Sequence, residues 1–569
     1  MWARDAPERL LYGSNAGGRW ELYAWDRAAG RHRRVTDRPE GTVQGRLDPT
    51  GSHVWWFDDE RGNEFGRWVA EPFEGGSPAT ADGGLPPAYS SGLALGREFA
   101  VIGSSGDGGS SVHQVSNGDA RLLYRHREDA GVAGLSRDED LLCLSHSEHG
   151  DSRHPALRVL RLEDGEPVAE LWDGPGLGLF AAGWSRVPGD RRLLVVHERR
   201  DLPRPMLWWP ESSETRELEI DLPGEVDASW YPDGSALLLA HDHRARVELY
   251  RFGLNDGSLE RLVVPPGTVA DARVRPDGEV WYSWSSASNP PEIRGPGGVL
   301  VRPPDAGEAA PLGAAYQDLE TNGGVHVLVA RPAGDGPHPV LFSVHGGPTA
   351  HDRDTFSPTV QAWVDHGFAV VLVNYRGSTG YGRAWRDALE GNPGLTELED
   401  VARAHDLVLS QGWADPERVV LTGGSRGGYL TLLGLGTQPE RWSLGIAAVP
   451  VADYVAAFED EMEPLKAFDR SLFGGSPQER PEFYAERSPI THVERVRVPV
   501  LILAGENDPR CPIRQIDNYL ARLTELGAPH EVYRYEAGHG SLVIEESIRQ
   551  LETAIDFAAR RLGTPPPAS

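Results

Sequence analysis

Short apolar segments beginning near Leu10, Val54, Phe99, Leu141, Leu193, Leu237 and Val280 recur at a step of roughly 45 residues. A repeat of that length restricts the first 300 or so residues to a few architectures, because each unit must be a small β module that buries its faces against its neighbours. Turn chemistry separates the segments: Asp48-Pro49-Thr50-Gly51, Pro232-Asp233-Gly234 and Pro276-Asp277-Gly278 each put a proline where φ is preset and a glycine where positive φ is needed. A second apolar strand and a polar turn follow in most units, as in Leu22-Tyr23-Ala24-Trp25-Asp26 and Leu249-Tyr250-Arg251-Phe252. Two hairpins make one four-stranded blade, so the spacing predicts a β-propeller over residues 1–300. The count is seven blades, with six or eight admitted by the degenerate unit around Gly92 to Gly103. A pair of β-sandwiches is the competing architecture, and it gives no reason for a regular step.

From about Ala309 the pattern changes to apolar runs alternating with amphipathic stretches, which predicts βαβ units and a mostly parallel sheet. Strands are expected at Pro339 to Val344, Ala369 to Val373, Val419 to Thr422, Val498 to Leu503 and Glu531 to Tyr535, with helices at Leu398 to Gln411 and Ile516 to Leu526. A linker is expected at Gly298 to Pro311, an α/β-hydrolase domain over residues 306–563, and a disordered tail from Thr564 to Ser569. The fold class is therefore multidomain, a propeller followed by an α/β-hydrolase fold. A chain of 569 residues with 39% hydrophobic and 25% charged residues has enough apolar material for two such cores.

Charge excludes some function classes. A net charge of −29 opposes binding to nucleic acid or to an anionic membrane surface, since both depend on clustered cations. Neither partner is expected. No apolar run reaches signal-peptide or membrane-spanning length, which gives a cytoplasmic expectation. The two cysteines, Cys143 and Cys511, form neither a disulfide framework nor zinc-ligand spacing, so no metal is expected.

The sharpest chemical signal is Gly423-Gly424-Ser425-Arg426-Gly427-Gly428, after the expected strand Val419 to Thr422 and before the apolar run Tyr429 to Leu435. Strand, tight turn and helix in that order define a nucleophile elbow, in which flanking glycines avoid collisions and the new helix aims amides at developing negative charge. A serine hydroxyl needs a base, and the base needs an orienting group. Asp508 and His539 follow two later strand ends, in the Ser, Asp, His order of α/β-hydrolases. His345-Gly346-Gly347-Pro348 ends another strand, where small residues let backbone approach a reacting carbonyl. The Gly347 and Arg426 amides are the expected oxyanion donors.

These motifs, with Asn374-Tyr375-Arg376-Gly377-Ser378-Thr379-Gly380-Tyr381-Gly382 and Asn507-Asp508-Pro509-Arg510-Cys511-Pro512, resemble the prolyl oligopeptidase family of serine peptidases, particularly its acylaminoacyl-peptidase branch. The resemblance runs over essentially the whole chain, specifically in the C-terminal half and by architecture alone in the propeller. It implies a propeller that caps the active site and admits only short peptides. It also implies a wall made by Val451 and Tyr454 around an apolar side chain on the acyl side of the cut. Arg510 would hold a substrate carbonyl or else form a surface ion pair, Cys511 would lie on the pocket wall as a thiol either open to reagents or buried and inert, and His345 would stand on the substrate side. Arg426 departs from the family pattern. Its side chain either meets a substrate carboxylate or pairs with a structural one, with Glu459-Asp460-Glu461-Met462-Glu463 supplying candidates.

The reading is hydrolysis of short peptides or N-acylated or aminoacyl amides through an acyl-enzyme, with Ser425 as nucleophile, His539 as proton shuttle and Asp508 as orienting group. No cofactor is required. The same residues would serve an amidase or esterase acting on a small metabolite, such as an aminoacyl-conjugated antibiotic. A non-catalytic binding protein is the reading from another class. The direction of cleavage stays open, as does oligomeric state, although hydrolase domains of the family often associate into homo-oligomers.

Overall fold

The computed structural model describes residues 1–302 and 313–563. Most of the expected linker, the expected domain start at residue 306 and the tail from Thr564 to Ser569 lie outside the described residues. Up to Val299 the described secondary structure is β, in antiparallel sheets of consecutive strands. Four of these sheets have four strands each, one has three and one has eight. Side chains at the contacts between successive sheets form separate small cores, such as Leu194 and Leu207 against Val226, Trp230 and Leu237. That arrangement is a propeller, in which each sheet buries its faces on the next.

Seven blades are expected, with six or eight admitted, and the described strands up to Val299 form six separate hydrogen-bonded sheets. Each of the seven recurring segments lies in a strand, but they do not mark seven separate sheets. The segment at Leu10 belongs to a sheet of three strands (Arg9–Ser14, Glu21–Asp26 and Arg31–Arg34). The degenerate unit is joined to the one before it, because Phe65 and Gly66 pair with Tyr89 and Ala88 and fuse strands 45–72 and 88–126 into the eight-stranded sheet. The first and last sheets meet through side chains. Trp281 stacks 6.3 Å from Trp25, and the Arg275 guanidinium lies 4.3 Å over Trp281 while donating to Glu8 at 2.7 Å.

The second domain is one eight-stranded sheet: β1 (Gln317–Glu320), β2 (His326–Ala330), β3 (His338–Val344), β4 (Ala369–Asn374), β5 (Ala414–Gly424), β6 (Leu444–Ala448), β7 (Val500–Gly505) and β8 (His530–Tyr535). The order is β1-β2-β4-β3-β5-β6-β7-β8, with β2 antiparallel to its neighbours and the strands from β4 to β8 parallel. Alternation along each strand builds two cores: Val340, Phe342 and Val344 of β3 face one, and Leu341 faces the other with Val360, Trp363 and Phe557. The expected strands and helices are all present, shifted by a few residues, with Leu395–Ser410 and Ile513–Glu525 as the two helices. Among the described residues no helix is long and apolar enough to cross a membrane.

Charged pairs join the two domains. Arg153 donates to Asp387 at 3.0 Å and to Glu390 at 2.9 Å, Arg353 donates to Asp242 at 2.7 Å, and Arg386 pairs with Glu198.

Candidate active site

Ser425 stands between β5 and the helix Arg426–Thr437, with φ 55° and ψ −121°. A non-glycine residue at such a φ is strained, and the neighbouring glycines explain why it persists. A Cβ at Gly423 would lie 2.5 Å from the Val344 carbonyl oxygen, and one at Gly427 would lie 2.0 Å from the same atom. The elbow is thus pressed against the end of β3, and only hydrogen atoms fit between.

The loop after β7 carries Asp508, whose side chain is wholly buried. Its Oδ1 accepts from the amides of Arg510 at 2.8 Å and Cys511 at 3.0 Å, which leaves Oδ2 for His539 Nδ1 at 2.8 Å. Two backbone donors and an imidazole therefore fix one carboxylate completely. His539 comes from the loop after β8. The Ser425 side chain lies near the Cys511 thiol, and that sulfur lies within 4.8 Å of an Asp508 oxygen and a His539 ring nitrogen. The serine, the imidazole and the carboxylate thus share one small neighbourhood at the C-terminal edge of the sheet.

The His345 segment reaches the same place. A Cβ at Gly346 would lie 3.4 Å from Ser425 Cβ and 3.9 Å from the Arg426 nitrogen. Gly347 has φ 118°, a conformation that favours glycine. Arg426 opens a helix, so its amide belongs to the first turn, which lacks intrahelical acceptors. The His345 ring itself is engaged inward: Nδ1 lies 2.8 Å from the Gly346 carbonyl, Nε2 lies 2.8 Å from Ser378 Oγ, and the ring stacks on Tyr375 at 4.2 Å. Burial lowers its pKa to about 4, so the ring is neutral at pH 7.

Other expected site residues fall in several environments. Val451 and Tyr454 are buried beside the helix that carries the elbow, and Cys511 is buried with its thiol pKa pushed well up by burial. A thiol so shifted is protonated at neutral pH and a poor target for reagents. The Arg426 side chain is a structural one. It donates to Glu397 Oε1 at 2.6 Å and to the Tyr454 hydroxyl at 2.5 Å, and it lies 4.6 Å over the Tyr429 ring. The partner is Glu397, not the acidic run from Glu459 to Glu463, because the guanidinium turns back along its own helix toward the helix Leu395–Ser410. Glu397 also accepts from the Gly394 amide at 2.6 Å.

The sequence reading missed the propeller's contribution. Arg510 is held by Glu64, with Nε at 2.7 Å and Nη2 at 2.9 Å. Glu64 belongs to a tight propeller turn whose Gly62, at φ 76°, abuts Gly538: a Cβ on Gly62 would lie 3.0 Å from the Gly538 nitrogen. The histidine loop is tied to the first sheet as well, since Trp20 N donates to the Leu542 carbonyl at 2.9 Å and Ile544 N to that of Gly18 at 3.0 Å. Contacts between segments some 500 residues apart leave no local pattern to read. Pro509 also borders a cavity of about 700 Å3 lined chiefly by propeller residues, Phe65, Tyr89 and His113 among them.

A propeller over an α/β-hydrolase sheet, with a strained serine at the elbow and a carboxylate-bound imidazole beside it, defines the class of serine hydrolases built on two domains. The chain matches the model of the prolyl oligopeptidase family over residues 354–565. It is 32% identical over 234 residues to dipeptidyl peptidase family member 6 of Caenorhabditis elegans, covering 40% of this chain and 32% of that protein. It is 26% identical over 375 residues to the acylamino-acid-releasing enzyme of Rattus norvegicus, covering 59% of this chain and 50% of that protein. The matches thus span between a third and a half of the length of these relatives. In fold, the crystal structure of a puromycin hydrolase matches with a TM-score of 0.83 at 21% identity, over 98% of this chain and 93% of that one. An acylaminoacyl peptidase bound to Z-Gly-Gly-Phe-chloromethyl ketone matches with a TM-score of 0.69 at 16% identity, over 96% and 93%.

Proposed function

We propose that the protein is a serine peptidase that hydrolyses short peptides or acylated or aminoacyl amides through an acyl-enzyme. Ser425 attacks the carbonyl, His539 takes the proton and returns it to the leaving amine, and Asp508 holds the imidazole in the required tautomer. The amides of Gly347 and Arg426 bind the oxyanion. The observation that carries this reading is the 2.8 Å contact between His539 Nδ1 and Asp508 Oδ2 beside Ser425, since a carboxylate on that nitrogen leaves Nε2 free to act as base. Val451 and Tyr454 wall the acyl-side pocket, Arg510 lies on the substrate side within reach of a peptide carbonyl, and the propeller limits substrate size. The acidic net charge and the lack of a membrane-spanning helix among the described residues support work on peptides in the cytoplasm rather than on nucleic acid or lipid.

A second reading, an amidase for an aminoacyl-conjugated small molecule, draws on the likeness in fold to puromycin hydrolase. Chromogenic peptides, N-acetyl-aminoacyl amides and puromycin, assayed side by side, separate the two. A fluorophosphonate probe tests both. Labelling of the wild type, lost in Ser425→Ala with hydrolysis reduced by about ten-thousand-fold or more, is the expected result. A folded wild type that takes no label would sink the enzymatic reading.

A further inference from the structure

A cavity of about 410 Å3 has no part in the mechanism above. Val451, Tyr454 and the helix Arg426–Thr437 pack on the face of the hydrolase sheet that carries Val340, Phe342 and Val344. The cavity lies on the opposite face, bordered by Val360 and by Leu372 of β4, which belong to the core on the Leu341 side. Its polar wall includes Tyr316, Ser343, Thr355 and Asp352. A volume of that size is in the range of small-molecule sites, and a mixed wall of hydroxyls and hydrocarbon with one acid is their usual chemistry.

Asp352 is the acid, and it is left over in its own loop. Its backbone is pinned at both polar groups: the amide donates to Asn374 Oδ1 at 2.8 Å, and the carbonyl accepts from Asn374 Nδ2 at 3.0 Å. The side chain is therefore delivered to the cavity wall from a fixed point. Asp352 Oδ2 is sealed from bulk water and finds no hydrogen-bond partner among the described residues. A buried carboxylate oxygen without a donor is costly and points to a missing partner. The cations around it are spent on other acids. Arg353 donates to Asp242 at 2.7 Å, His351 Nε2 lies 3.0 Å from the same carboxylate, and Arg246 donates to Asp354 at 3.1 Å and to Asp318 at 2.8 Å. Burial alone pushes the Asp352 carboxyl up to about 7, as befits an acid with no counter-charge beside it.

The lining selects the kind of ligand. A single carboxylate calls for a single positive charge, and the neighbouring hydroxyls of Tyr316 and Ser343 offer further acceptors to a group with several N–H donors. A bare divalent ion needs six or more close oxygens and leaves Val360 and Leu372 unused. An ammonium group on a short hydrocarbon stem uses both walls. We propose that this cavity binds a small primary alkylamine, whose ammonium pairs with Asp352 and whose stem lies along Val360 and Leu372. The occupant is an effector rather than a substrate, since the sheet stands between it and the acyl-side pocket. Asp352 belongs to the same segment as Gly347, so the amine is held on the chain that carries a proposed oxyanion donor.

Calorimetric titration of the wild type at pH 8, in a buffer free of amines, compares n-butylamine with its neutral isostere 1-butanol; at that pH both the carboxylate and the ammonium are charged. The amine should bind about 10-fold or more tightly than the alcohol. In Asp352→Asn, nearly isosteric and checked for folding by thermal denaturation, the preference should shrink to about 2-fold or less. Equal binding of amine and alcohol overturns the proposal, as does a preference that survives in the variant. Potassium chloride supplies the arm for a bare ion: heat from potassium with none from the amine makes the cavity an ion site and also overturns it. Should the variant fail to fold, wild-type crystals grown in n-butylamine decide, with density for the amine against Asp352 in support and a cavity holding only water against. Binding is read without turnover, so this outcome is independent of the serine-peptidase reading.

Discussion

Arg426 carries one backbone role and one side-chain role, and the two separate experimentally. Its amide is a proposed oxyanion donor, while its guanidinium closes a buried pair in which the Arg426 and Glu397 side chains are 4% and 0% exposed. Truncation by Arg426→Ala leaves Glu397 buried without its counter-charge and should destabilise the protein by about 3–5 kcal/mol, measured by denaturant unfolding. A buried acid gives a second test. Asp469 has its pKa raised above that of an unfolded aspartate, so between about pH 4 and pH 7 the folded state holds a proton that the unfolded chain has released. Its contribution to stability is present below that window and is lost as pH rises through it. The melting temperature should therefore fall from pH 5 to pH 8 more in the wild type than in Asp469→Asn, and equal slopes would contradict the assignment.

At the scale of elements, the turn from Arg61 to Glu64 and the histidine loop behave as one unit. Gly62→Ala puts a Cβ 3.0 Å from the Gly538 nitrogen at a φ that disfavours side chains, so the displacement passes to the residue before His539. We expect kcat to fall by about 10–100-fold with little change in melting temperature, read from steady-state kinetics and calorimetry. How much was legible in the sequence follows the same division. The elbow, the later aspartate and the histidine could be read because each sits just after an apolar strand, where local pattern and chemistry coincide. Strand β6, Leu444–Ala448, was passed over because its apolar run is short and follows an apolar helix without a marked break. Glu397 and Glu64 could not be read as site residues at all, since their roles depend on helix orientation and on the seating of one domain against another. The repeat step located the recurring strands, but two facing residue pairs were enough to merge neighbouring units, and period alone does not encode an edge contact.

For the whole molecule, several charged pairs cross the interface between domains, beside backbone hydrogen bonds such as Arg383 N to the Asp201 carbonyl. Side chains of Arg153 and Asp387 are 3% and 11% exposed, so this pair is shielded from salt more than an open surface pair would be. Removal of one partner is the sharper perturbation. Arg386→Ala would strand the buried Glu198 between the domains and should loosen them, seen as a larger radius of gyration in X-ray scattering and faster nicking by an added protease. An unchanged profile in both measurements would mean that apolar contact, rather than charge, keeps the halves together.

The histidine loop touches both domains: strand β8 and Asp508 hold it from the sheet side, and Gly18, Trp20 and Gly62 meet it from the propeller side. Any change in how the propeller is seated is thereby passed to the placing of the imidazole.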